Sequence, residues 1–305
     1  MTKSLITTAL LTSALALTAC SKVHNTEGTV QGQSFKGIIN GETVSASDDI
    51  AKTTVQIFTF QVAHDDAGRA LVRGVAGCTG TLLAEDILLT AAHCTTENPY
   101  YIILYFSNEA PKDFKAFMAS INTNPLVRRV VGGKVGTQWP KLVSGKVGDW
   151  GDIALLKFEG GIPEGYQLAE LLPAKEKLAV DQPITLAGFG ITDGIKQTPS
   201  TQLLKVDVTI LDPTYTKTEM VIDSGDKGPC HGDSGGPAYV TGSDGKKYVA
   251  GVTSRADVRN DPRGLCIGDT LYTKVQPHAA WIKRSMKSLQ SPTFKPALIP
   301  QPQGG

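Results

Sequence analysis

Three short stretches carry the residue types that acyl transfer needs. Leu89-Thr90-Ala91-Ala92-His93-Cys94 ends an apolar run on an imidazole. Trp150-Gly151-Asp152-Ile153-Ala154-Leu155-Leu156 sets a carboxylate directly before another apolar run. Cys230-His231-Gly232-Asp233-Ser234-Gly235-Gly236-Pro237 places a hydroxyl among glycines. Taken singly, a His after a strand is ordinarily a hydrogen-bonded core residue and an Asp before a strand is ordinarily a turn residue. Taken together they supply a nucleophile, a base and an acid in the order His, Asp, Ser. The Ser234 hydroxyl is a poor nucleophile at neutral pH. An imidazole in reach takes its proton during attack and returns it to the leaving amine. A carboxylate on the other ring nitrogen fixes the tautomer and stabilises the imidazolium.

This order and these flanks resemble the chymotrypsin/trypsin-like serine proteases, over roughly Ile38 to Leu289. The resemblance implies an all-β fold of two six-stranded antiparallel barrels, with the active site in the cleft between them and a C-terminal helix. It selects Asp152 over Asp149, three residues earlier, because Asp152 directly precedes Ile153-Ala154-Leu155-Leu156. The N–H groups of Gly232 and Ser234 are then the oxyanion donors, each typically worth about 3–4 kcal/mol in the transition state.

The elements that must position these residues read as many short apolar runs between Gly, Pro, Asn and Asp. Examples are Val55–Val62, Ile87–Thr90, Tyr101–Phe106, Ile153–Phe158, Leu203–Leu211, Tyr248–Thr253 and Thr270–Val275. Such a series argues for a sandwich or barrels. A Gly- and Pro-containing stretch over 160–183 divides it into two β subdomains, about 38–165 and 166–275. Residues 277–289 read as a helix, with Pro277 in its first turn and Lys283, Arg284 and Lys287 toward its C-terminus. Ala279, Ile282 and Met286 share one side of it.

Composition excludes other classes. Among 305 residues there are 30 Lys+Arg against 29 Asp+Glu, so no broad cationic field exists to attract nucleic acid. A hydrophobic share of 41% is enough for a core. No cofactor motif or metal-ligand spacing is present, so neither is expected. A monomer is expected.

The first nineteen residues read as an export signal: Lys3 is followed by an uncharged apolar run from Leu5 to Leu17, too short for a membrane anchor. The run ends in Leu17-Thr18-Ala19-Cys20, which resembles the bacterial lipoprotein lipobox, with Cys20 as the lipidated residue. Five cysteines in an exported chain leave one to be accounted for, and lipidation of Cys20 leaves Cys78, Cys94, Cys230 and Cys266. Four cysteines allow three connectivities. The protease resemblance implies Cys78–Cys94 and Cys230–Cys266. Residues 20–37 read as a polar tether and propeptide, and 291–305, with four Pro, as a disordered tail. The expected location is the cell envelope, in the outer membrane or periplasm, with release on activation.

Lys36-Gly37-Ile38-Ile39-Asn40-Gly41 resembles the family's activation junction. The resemblance implies a zymogen cut before Ile38 by another protease, whose new terminus pairs with Asp233. It also places Gly228 at the base of the specificity pocket, with Pro229, Ser254, Ala256, Asp269 and Thr270 nearby. Arg255 departs from the aromatic residue common in the family. If Asp269 points inward the pocket is negative; otherwise it is neutral and suits small or apolar side chains. His231 is expected on the pocket rim, and His24, His64 and His278 in tether, turn and helix surface. The leading expectation is a serine endopeptidase acting on proteins or peptides. The alternative is a non-catalytic, protease-like surface binding or adhesion lipoprotein.

Overall fold

The computed structural model describes residues 38–64, 70–95, 100–139 and 149–296. All lie in the second of two units of the chain, Gly32–Gly305. The signal segment, Cys20, His24 and the tether to residue 37 lie outside the described residues, as do 297–305.

The chain enters through β1 (Glu42–Thr43) and a short helix α1 (Asp49–Thr53), whose first turn is capped by the Asp48 carboxylate on the Ile50 N–H at 3.0 Å. Six strands then close a barrel: β2 (Thr54–His64), β3 (Ala70–Ala84), β4 (Ile87–Thr90), β5 (Tyr100–Tyr105), β6 (Val127–Val135) and β7 (Ala154–Phe158), in the order β2-β3-β4-β7-β6-β5. Period-two alternation explains why β2 is apolar on both faces. Val55 and Ile57 point into the barrel with Leu104 and Leu155. Phe58 and Phe60 point outward, where they pack with Tyr101, Ile103 and the helix α2 (Phe114–Ser120) through Phe114 and Phe117. The strand pattern alone predicts no α2. Its seven residues are too few for a clear helical period, and its start is set by Asp113, which accepts from the Ala116 N–H at 3.0 Å.

The second barrel uses β8 (Pro183–Gly188), β11 (Leu204–Asp212), β12 (Glu219–Asp223), β13 (Pro237–Thr241), β14 (Lys247–Ala256) and β15 (Thr270–Lys274). The hairpin β9 (Ile191–Asp193) and β10 (Thr198–Pro199) forms a separate two-stranded sheet. The order β11-β12-β15-β14-β13-β8 closes through a second pairing of β8 with β11. All these pairings are antiparallel. The entering segment belongs with this barrel: β1 pairs with β11, and Ile39 bridges Gly228.

At the C-terminus a 3₁₀ turn (Gln276–His278) leads into α3 (Ala279–Leu289), which buries Ile282, Ser285 and Leu289 and leaves Ala279 exposed. Two expectations change here. His278 is buried, not on the helix surface, and its ring lies 6.3 Å from that of Trp281. Burial lowers its pKa. Residues 291–296 are not free of the domain. Phe294 packs on the first barrel, where it meets Gly132, and Lys157 lies 5.8 Å from its ring centre.

Both disulfides implied by the resemblance are present, Cys78–Cys94 and Cys230–Cys266. The first closes a sequence separation of 16 residues. Removing it by the double substitution Cys78→Ala/Cys94→Ala is expected to lower the unfolding free energy by about 3 kcal/mol in urea titrations.

Candidate active site

His93 sits in the 3₁₀ turn Ala92–Cys94 immediately after β4, and the Cys78–Cys94 bridge fastens that turn to β3. Asp152 precedes β7, which pairs with β4 so that Thr90 faces Ala154. The pairing brings the two ends together. Asp152 Oδ2 lies 2.7 Å from His93 Nδ1, and Oδ1 accepts the His93 backbone N–H at 3.0 Å. Ser254 Oγ, near the end of β14, donates to Oδ2 at 2.7 Å. Asp152 is fully buried. Burial opposes its charge, but the His93 charge, the His93 and Ser254 side-chain hydrogen bonds and the His93 amide hold its pKa below the ordinary carboxylate value. Asp149 does not reach this cluster. It accepts from the hydroxyls of Thr216 and Thr218.

Ser234 comes from the second barrel, in the turn before β13. Its carbonyl accepts the Thr79 N–H at 2.8 Å and lies 3.6 Å from Cys94 Sγ, so the Ser234 loop rests on β3 beside the His93 turn. On the other side Gly235 N–H donates to the Thr253 carbonyl at 2.8 Å. Among the described residues the N–H groups of Gly232 and Ser234 have no acceptor. Two amide donors left without a partner beside a hydroxyl can bind an oxyanion. Gly232 has φ 98°, and a Cβ there would stand 2.8 Å from Gly190 Cα. No L side chain fits that turn.

Asp233 points away from Ser234 into the protein. Its carboxylate accepts from the N–H groups of Cys230 at 2.8 Å, Gly190 at 2.7 Å and Ile38 at 3.2 Å. Burial raises its pKa to about 7 in spite of these three donors. Ile38 is fully buried and has φ 47°, a left-handed conformation that costs a β-branched residue strain.

Of the residues expected at the pocket, Gly228, Ala256 and Thr270 are linked through Ser224, whereas Ser254 turns its hydroxyl to Asp152. Ala256 is the β-ladder partner of Thr270, whose hydroxyl accepts from Ser224 Oγ at 3.0 Å. A Cβ on Gly228, the residue before Pro229, would lie 2.7 Å from Ser224 Cβ. Asp269 is engaged elsewhere: its carboxylate accepts from Asn260 Nδ2 at 2.6 Å, on the exposed side of the loop. His231 is exposed and its Nε2 lies 3.0 Å from the Gly264 carbonyl.

Sequence reading missed two supports of the site. Thr79 donates through its hydroxyl to the Gly232 carbonyl at 3.0 Å and accepts the Phe189 N–H at 3.2 Å. Its partners lie 153 and 110 residues away in sequence, so nothing local marks the role. Glu219, fully buried, forks to Arg255 at 2.7 and 3.0 Å. Nothing local marks it, because its partner lies on another strand.

Comparison with known proteins gives the family. The chain is 27% identical over 232 residues to phenoloxidase-activating factor 3 of Holotrichia diomphalia, covering 69% of this chain and 64% of that protein. It thus spans less than two thirds of that relative. It is 28% identical over 230 residues to chymotrypsin-like elastase family member 3B of Macaca mulatta, covering 69% of this chain and 82% of the other. It is 27% identical over 258 residues to snake venom serine proteinase 4a of Crotalus adamanteus, covering 78% and 86%. The trypsin family profile matches residues 51–282, a stretch that holds all three motifs and both barrels, and the chain therefore belongs to the trypsin family through a trypsin-like serine protease domain.

Proposed function

We propose that the protein is a serine endopeptidase in which Ser234 is the nucleophile, His93 the general base and then acid, and Asp152 the residue that orients the imidazole. The observation that carries this reading is the pairing of buried Asp152 with His93 at 2.7 Å beside a serine loop with two amides that have no acceptor among the described residues. Ser234 Oγ attacks the scissile carbonyl and His93 takes its proton. The carbonyl oxygen becomes an oxyanion held by the Gly232 and Ser234 N–H groups. His93 then gives the proton to the departing amine, leaving an acyl-enzyme. A water, deprotonated by the same imidazole, releases the second product. A fluorophosphonate probe tests the assignment: the protein should be labelled, and Ser234→Ala should not. No labelling of the processed protein would favour a non-catalytic binding protein.

The pocket group supports a neutral site for small or apolar side chains at the cleaved bond. Gly228 adds no charge at its base, the Ser224 hydroxyl donates to that of Thr270, and Asp269 is turned to Asn260. Peptide-library profiling should show cleavage after small side chains. Preference for Lys or Arg would overturn this.

Activation by a cut before Ile38 is supported by the strained Ile38 torsion and the 3.2 Å approach of its nitrogen to Asp233. A cut turns an amide donor into an ammonium and removes that torsion. The uncut and cut forms should differ in pH dependence. In the uncut form Asp233 titrates at about 7 against an ordinary 3.8. Between these values the folded chain keeps a proton that the unfolded chain has released, so this group's contribution falls as pH rises from about 4 to about 7. After the cut, the ammonium favours the carboxylate and the loss should shrink. Melting temperatures of both forms across that range, with Asp233→Asn as control, measure it. Both disulfides lie between residues 78 and 266, so no covalent link crosses the junction. With Cys20 lipidated, the same cut releases the protease domain from the membrane. A blocked junction should leave the protein membrane-bound and inactive, and a fully active uncut lipidated form would refute this.

A further inference from the structure

The strongest feature outside the proposed triad is an ion pair within the second barrel whose carboxylate is fully buried. Glu219 lies in β12 and Arg255 at the end of β14, with side-chain exposures of 0% and 17%. Arg255 donates from Nη1 and Nη2 to the two Glu219 oxygens at 2.7 and 3.0 Å, a fork that holds the guanidinium plane. That plane covers the Trp150 ring, with Cζ 3.9 Å from its centre. Glu219 Oε1 also accepts the Trp150 backbone N–H at 3.2 Å. Trp150 stands two residues before Asp152, so the pair grips the first-barrel segment that carries the catalytic carboxylate. Its ring meets Trp139 at 6.0 Å, and Trp139 meets the His93 ring at 6.3 Å.

The second link is through Ser254. Consecutive strand residues face opposite sides, yet Ser254 and Arg255 both reach this site. The ladder between β14 and β15 shifts register between Thr253 and Arg255, and such a bulge re-aims side chains. Arg255 Nη1 lies 3.3 Å from Ser254 Oγ. A guanidinium has only donors. Ser254 Oγ therefore accepts from Arg255, and its own proton points to Asp152 Oδ2.

Resting on the protease reading above, we infer that Glu219 and Arg255 are positioning residues for the Asp152–His93 pair. They clamp the Asp152 segment to the second barrel and fix the direction of the Ser254 hydroxyl. Neither contacts the reacting atoms.

The test compares the full chain with Arg255→Lys and with the double variant Glu219→Leu/Arg255→Met, all processed alike. Removing both charges avoids leaving one buried and unpaired, so the double variant should unfold cooperatively in urea. Its kcat on fluorogenic peptides should fall roughly 10- to 100-fold, as expected for a small misplacement of a catalytic group, with KM changed less than about twofold. Arg255→Lys should recover little, because an ammonium has neither the fork nor the flat face. The far-downfield proton NMR line of the His93 Nδ1–H should weaken or move in both variants. A folded double variant with normal kcat and an unmoved line would overturn the inference, as would a rise in KM at constant kcat. If the unsubstituted protein cleaves nothing, the protease reading fails by itself, and the NMR line still decides whether the clamp orders the His–Asp pair.

Discussion

Replacing Ser234 by alanine is expected to lower kcat by about 10⁶-fold, with residual rate coming only from substrate binding and the two amide donors. The reason is the division of labour at the site. On the proposed reading His93 and Asp152 handle a proton that only a hydroxyl at residue 234 supplies, so without it the paired side chains have nothing to activate. His93→Ala should cost about as much, and the double variant little more, because the residues act as one unit. Binding of a peptide aldehyde or uncleaved peptide should survive in weakened form. Stability should change by no more than about 0.5 kcal/mol, since the loop is held by backbone contacts that alanine keeps. These are the Ser234 carbonyl on Thr79 N–H and the Gly235 N–H on the Thr253 carbonyl, both at 2.8 Å. Burst and steady-state kinetics on one peptide substrate measure all of this. Substantial cleavage by the folded Ser234→Ala protein would show that another nucleophile does the work.

Asp152→Asn is expected to lower kcat roughly 10⁴-fold while leaving the fold intact. The hydrogen bonds dictate how the amide settles. Oδ1 accepts from the His93 backbone N–H, which can only donate, so the amide oxygen takes that position. The NH₂ group then occupies the Oδ2 position, facing His93 Nδ1 and Ser254 Oγ. Both can accept, so the structure tolerates the change. The imidazole is forced to carry its proton on Nε2, toward Ser234, and in that tautomer it cannot take the hydroxyl proton. Raising the pH should restore part of the rate, as hydroxide does what the blocked base cannot. Loss of the His93 Nδ1–H proton resonance in a protein with unchanged melting behaviour would support this account. A rate within tenfold of the unsubstituted enzyme would contradict it.

The site was legible wherever its chemistry is local in sequence. His93 comes with Cys94, Asp152 with its apolar strand, and Ser234 with its glycines and Asp233. A turn that exposes a hydroxyl and two amides needs particular residues next to one another. The strands β4, β7, β11 and β15 were legible to within a residue or two because short apolar runs end at turn residues. Glu219–Asp223 was not read as a strand, since its first residue is a charged side chain that is fully buried only because Arg255 reaches it from β14. His278 and Phe294 were misplaced for a similar reason. Phe294 is covered by the first barrel at Gly132, far away in the chain, and His278 is buried beside Trp281 once the C-terminal segment packs down.

The amino-acid order by itself determined the reagents: a hydroxyl, an imidazole, a carboxylate, four pairable thiols and a Ser234 loop whose glycines allow its turn. It determined the alternation that makes barrels possible. Tertiary structure alone decided which groups meet. It turned Asp269 out to Asn260 and left Ser224 against Thr270, joined Ile38 to Asp233, and set Glu219 and Arg255 behind Asp152. The physical reason is range. Residue type and local turn preference act over a few neighbours, whereas these contacts depend on the register of strands that are distant in sequence, including a one-residue bulge in β14 that no local pattern announces.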